Sequence, residues 1–101
     1  MEMVKIGTAE VAGEILTIYR TEYESNGSLG ILLYDAKEEP YAVVSVNLVD
    51  QFMEENEFAV HHDIQSIVAE DLLKCGLFED TGRRVSYGFV ESRPVWRLKA
   101  A

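Results

Sequence analysis

The sequence predicts an α+β fold: a curved, mainly antiparallel sheet of about six or seven strands, with one main helix over about residues 63–75 on one face. Three observations carry this. Short runs rich in β-branched and aromatic residues are separated by glycine- or proline-bearing turns. A single segment keeps apolar residues at 3–4 residue spacing. The runs "ILLY" and "YAVV" are apolar on both alternating sets, as in strands covered on both faces.

"TAEVAGEILTIYRTEY" reads as two strands joined at Ala12-Gly13, with Gly13 suited to the positive φ of a tight turn. "ESNGS" places Asn26-Gly27 at a second hairpin, because both residues tolerate left-handed dihedrals. "LGILLYDA" is the next strand, "KEEP" a turn, and "YAVVSVNL" a further strand, so residues 5–48 form an antiparallel meander. "VDQFMEENE" reads as a polar loop or short helix, with Glu54, Glu55 and Glu57 as solvated charges rather than a metal cluster. "FAVHH" alternates like a short strand.

In the helix, Ile64, Ile67, Val68, Leu72 and Cys75 trace one apolar face. Asp63 is placed as its N-cap, accepting first-turn N–H groups. Gly76 fits the left-handed position after the last turn, with Leu77 folding back on Leu72. "FEDTG" reads as a loop, "RRVSYGFVE" as a strand with Val85, Tyr87 and Phe89 on its core side, "SRP" as a turn and "VWRLK" as the last strand. One helix cannot cover both faces of such a sheet, so the second face calls for sheet curling or a partner chain, a homodimer being the simplest.

The chain has 101 residues, enough for one domain, 1–101, with one modest core. No apolar run approaches the ~20 residues of a membrane span. The N-terminus "MEMVKIGTAE" has no basic segment followed by an apolar one. A single cysteine, Cys75, makes no internal disulfide, and a reduced, cytoplasmic protein is expected.

Net charge is −9 and unevenly laid out. Residues 1–60 carry 12 acidic and 3 basic side chains, and residues 61–101 carry 6 of each. The late cations are Arg83, Arg84, Arg93, Arg97 and Lys99. They form the candidate interaction surface, facing an acidic protein partner. The overall charge opposes nucleic acid, even though aromatics interleave with these arginines.

The one stretch that invites chemistry is His61-His62-Asp63. If the segment is extended, neighbouring side chains point to opposite faces, so the two histidines cannot share an ion. Cys75 lies roughly 20 Å along the helix, out of reach of a Cys–His dyad. No phosphate loop and no nucleophile elbow appears. The expectation is therefore no catalytic residue, no cofactor and no metal, with a chelator leaving the melting temperature unchanged.

The whole chain, and especially its second half, "LLKCGLFEDTGRRVSYGFVESRPVWRL" with Asn47-Leu48 before it, resembles a family of uncharacterised bacterial proteins of about 100 residues. These are often encoded on conjugative or integrative mobile elements and described only as a domain of unknown function. Gly76, Glu79, Thr81-Gly82-Arg83, Val85, Gly88-Phe89-Val90 and Pro94 to Leu98 carry the likeness. The resemblance implies an accessory protein of a mobile element and brings no catalytic residues. In this reading Gly88 marks a mid-strand bulge, Phe89 anchors the core, and Arg83 and Arg97 reach acidic groups of the meander. The leading functional expectation is a non-enzymatic interaction protein. The alternative is an acidic decoy mimicking DNA for a host defence enzyme, and a third is a small-molecule-binding or enzymatic domain.

Overall fold

The structure is a computed structural model that describes residues 3–24, 27–48, 53–87 and 90–99, apart from the side chains of Tyr87, Val90 and Glu91. Eight strands and one helix follow in the order β1 (Val4–Val11), β2 (Glu14–Glu22), β3 (Leu29–Tyr34), β4 (Pro40–Val43), β5 (Ser45–Val46), β6 (Glu57–Val60), α1 (Ser66–Lys74), β7 (Phe78–Tyr87) and β8 (Val90–Leu98). The fold is mostly sheet, and the expected meander is present as an antiparallel sheet ordered β1-β2-β3-β4. A second antiparallel sheet is ordered β5-β6-β8-β7. The single curved sheet of six or seven strands is thus corrected to two four-stranded sheets.

The physical reason lies at Val44. Its N–H donates to the Ile31 carbonyl of β3 at 2.9 Å, while its own carbonyl accepts the His61 N–H at 2.7 Å. Residues 40–46 therefore begin paired to one sheet and end paired to the other, which is how a strand turns a corner between packed sheets. Ser45, 1% exposed, completes the switch. Its Oγ accepts the Ile31 N–H at 3.0 Å and lies 3.0 Å from the Tyr23 hydroxyl. The side chain supplies an acceptor as the backbone departs. Ser45→Ala removes that acceptor and leaves a buried N–H without it, which is expected to lower stability by about 1–3 kcal/mol. Denaturant unfolding measures this, with an unchanged m-value as the mark of a pure stability effect.

Both sheets and the helix feed one core. Leu16, Ile18, Ile31 and Leu33 come from the first sheet, Phe58, Val60, Phe78 and Trp96 from the second, and Val68 and Leu72 from α1. The inner face of each sheet is thus covered within the chain, by the other sheet and by α1. "YAVV" is not a strand covered on both sides: Tyr41 and Val43 are exposed on β4, the edge of its sheet.

The β1–β2 hairpin turns at Ala12 (φ 49°) and Gly13 (φ 84°), a two-residue connection with positive φ at both positions. Its Ala12 N–H donates to Asp71 Oδ2 of α1 at 2.9 Å, tying the hairpin to the helix. The helix packs on β1 and β7. Between them, a Cβ added to Gly7 of β1 would lie 2.8 Å from Leu77 Cδ1, so the absent side chain admits Leu77. Gly76 takes the expected left-handed turn (φ 88°) after the helix.

Four local expectations are corrected. The helix begins at Ser66 rather than Asp63, its N-cap position is Gln65 without a side-chain cap, and Ile67 of the expected apolar face is exposed. Asp63 is instead held in a turn, because its N–H donates to His61 Nδ1 at 3.1 Å and the Ile64 N–H donates to the His61 carbonyl. "FEDTG" is not a loop but the start of β7, broken by an irregularity between Asp80 and Arg84. There Gly82 takes φ 82° and Thr81 Oγ1 donates to the Val95 carbonyl at 2.7 Å, so side chain and bulge maintain the pairing. "SRP" is not a turn either, since Arg93 and Pro94 pair with Val85 and Arg84 within the β7–β8 hairpin. Pro94 immediately precedes Val95, the first β8 residue paired to β6, so its missing N–H breaks no ladder on that side. The bulge at Gly88, the core role of Phe89 and the turn residue Asn26 lie outside the described residues.

Candidate functional site

Glu57 opens β6, directly opposite Arg97 of β8, which in turn lies opposite Glu79 of β7. The registers thus set acid, base and acid in a row across three strands. Opposite charges at such positions attract. Arg97 Nη1 donates to Glu79 Oε1 at 2.7 Å, and its Nη2 lies 3.6 Å from Glu57 Oε2. Arg83, brought round by the β7 irregularity, donates from Nη2 to Glu57 Oε1 at 2.9 Å. The same oxygen accepts the Glu54 N–H at 3.0 Å. The Glu57 side chain is 2% exposed, so this carboxylate is desolvated and depends on those partners.

The Arg97 guanidinium is held above its usual range, chiefly by its hydrogen bond to Glu79, with desolvation opposing and the charges of Glu79, Glu57 and Glu54 adding. A folded-state value above the unfolded one means that its contribution is present at all lower pH. It is lost only as pH climbs through the arginine range, beyond any physiological condition.

Arg84 and Arg93 are also engaged. Arg84 donates from Nε to Ser92 Oγ at 3.0 Å and from Nη2 to the Ser92 carbonyl at 2.7 Å. Arg93 donates to the carbonyls of Val60 and His61, each at 3.2 Å. Arg93 therefore continues, by side chain, the β6–β8 connection that the backbone ladder ends at Ala59–Val95. Lys99 is exposed. Of the five predicted surface cations, four brace strands of their own sheet. Arg83 and Arg97 reach β6 and β7 rather than the meander.

Next to Glu57, between the β2–β3 hairpin and the turn before β6, lies a recess of about 330 Å³. Its lining includes Arg20, Glu22, Ser28, Glu54 and Glu55. Glu22, Glu54 and Glu55 are exposed, so the rim is acidic. Sequence reasoning treated the three glutamates of the 54–57 turn alike. Their burial separates Glu57, an internal anchor, from Glu54 and Glu55, which face solvent.

His61, His62 and Asp63 do not alternate as an extended strand would, because β6 ends at Val60 and a turn follows. The two imidazoles stack at 4.6 Å between centroids. His62 Nε2 lies 3.2 Å from Asp63 Oδ1, and His61 Nδ1 lies 3.7 Å from Asp63 Oδ2. The geometric argument that the histidines point apart is corrected: one ligand atom from each of the three residues lies within 4.8 Å of the others. Cys75 is half-buried at the C-terminal cap of α1.

Among the described residues no helix is long and apolar enough to cross a membrane. Compared with protein-family models, with curated proteins and with solved structures, the chain matches none.

Proposed function

We propose that the chain is a non-enzymatic binding module for a protein partner, and that the partner meets its acidic side through the recess rimmed by Glu22, Glu54 and Glu55. The observation that carries this is the fate of the charges. Four of the five hairpin cations are engaged by groups of the same sheet, while Glu10, Glu14, Glu22, Glu38, Glu54 and Glu55 remain exposed. A cationic side chain of the partner fits the recess; the acidic partner expected from sequence would find few uncommitted cations on the hairpin. Glu57 is no candidate for a general base, since both its oxygens already face guanidinium groups.

A second reading rests on the same exposed carboxylates: a decoy that presents them to a DNA-binding enzyme in place of phosphates. One experiment separates the readings. Partner capture from cells carrying the native sequence is compared for the parent, for Glu22→Lys with Glu54→Lys, and for Arg84→Glu with Lys99→Glu. The acidic-side variant is expected to weaken capture about tenfold or more, a change of roughly 1.4 kcal/mol, while the cationic variant keeps it. Loss in the cationic variant alone returns the site to the hairpin and contradicts the proposal. Displacement of the captured protein by duplex DNA favours the decoy.

A further inference from the structure

The turn after β6 gathers the groups that a borderline divalent cation requires. We propose that His61, His62 and Asp63 form a surface site for a zinc-class ion, with two imidazoles and one carboxylate as ligands and at least one coordination position left open. Such an ion holds nitrogen and oxygen ligands at about 2.0–2.1 Å in a tetrahedron, which sets neighbouring ligand atoms about 3.3 Å apart. His62 Nε2 lies 3.2 Å from Asp63 Oδ1 and His61 Nδ1 3.7 Å from Asp63 Oδ2, and one ligand atom from each residue falls within 4.8 Å of the others, so side-chain rotation alone draws the set to that spacing.

His61 Nδ1 accepts the Asp63 N–H at 3.1 Å, so its lone pair is engaged by that bond, which an ion on Nδ1 displaces. The ion also takes the place of the contact between His62 and Asp63. The backbone already holds the geometry. The His61 N–H is fixed to the Val44 carbonyl at 2.7 Å, and the His61 carbonyl accepts both the Ile64 N–H and the Arg93 guanidinium. The turn is thus pinned from the strand switch on one side and from β8 on the other. His62 and Asp63 are exposed and His61 half-buried, so an ion enters without unfolding. His61 and Asp63 also line a recess with Tyr41, Val43 and Ile64, into which a water or an exogenous ligand on the open position can extend. Imidazole donors select zinc, nickel, cobalt or copper over magnesium and calcium.

The ligands are consecutive in sequence, so the ion closes no loop and the unfolded chain keeps the same three groups together. Its linkage to folding is therefore small, so a chelator added to the zinc-loaded chain is expected to lower the melting temperature only slightly.

The test is titration of the full-length chain with Zn²⁺ by calorimetry, with His61→Ala, His62→Ala and Asp63→Asn in parallel and far-UV circular dichroism as the check on folding. One Zn²⁺ per chain is expected, with affinity about tenfold weaker or worse in each histidine variant. Excess Mg²⁺ should leave the binding intact, and amide shifts on adding Zn²⁺ should centre on residues 60–64 and 41–43. Absence of binding up to millimolar Zn²⁺, equal binding by all three folded variants, or displacement by Mg²⁺ would each overturn the site.

Discussion

Phe58→Ala is expected to lower stability by about 3–5 kcal/mol. Phe58 is 2% exposed and stands at the centre of an aromatic cluster. Its ring meets Phe78 edge-on at 5.7 Å and Trp96 at 6.1 Å, and Phe78 and Trp96 lie 6.0 Å apart. Each of these residues comes from a different strand of the second sheet, so truncation opens a cavity where β6, β7 and β8 meet. In a domain of this size the melting temperature should fall by at least about 12 °C. Trp96 offers a contrast. Its buried Nε1 has no hydrogen-bond partner among the described residues. Trp96→Phe removes volume and also that unpaired donor, so its effect should be smaller than that of Phe58→Ala. A Trp96→Phe variant as damaging as Phe58→Ala would mean that the indole N–H is satisfied in solution.

Arg83→Met is expected to lower stability by about 2–3 kcal/mol, more than a surface arginine warrants. The damage is not the lost cation itself, which is partly exposed and screened. It is the Glu57 carboxylate left behind, buried with Arg97 at 3.6 Å and one backbone N–H. Glu57→Gln should cost less, because the released Arg83, 39% exposed on its side chain, can turn to water. Chemical unfolding of both variants checks the order. If Glu57→Gln is the more damaging, the carboxylate is not the group that the cluster exists to neutralise.

How far the sequence reveals this molecule depends on how local each signal is. The β1–β2 hairpin at Ala12-Gly13, the β3 strand and Gly76 after the helix are set by residues within a few positions of one another, and they are legible. Val44 is not. Nothing in "YAVVSV" marks the residue where pairing passes from β3 to β6, because the cause is the position of two distant strands. The same holds for the Glu57–Arg97–Glu79 row. Glu57 looks like its neighbours Glu54 and Glu55 until β6 is paired with β8. β6 lies between β5 and β8 and buries all four residues of "EFAV", so no alternation along it marks its first residue as internal. Treating "SRP" as a turn followed proline's usual role and missed that the β6 ladder ends one residue away. Asp63 has the right residue type for an N-cap, but His61 and His62 compete for it and win.

The proposed function requires that the hairpin cations hold the fold together and so leave the acidic side to meet a partner. A double-mutant cycle on Glu57 and Arg83 measures this most directly. Unfolding free energies of the parent, Glu57→Gln, Arg83→Met and the double variant give the coupling between the two side chains. A favourable coupling of about 1.5 kcal/mol or more is predicted, since one partner is buried and the hydrogen bond is charge-assisted. A coupling below about 0.5 kcal/mol, the level of an exposed pair, would contradict it and return Arg83 to the interaction surface.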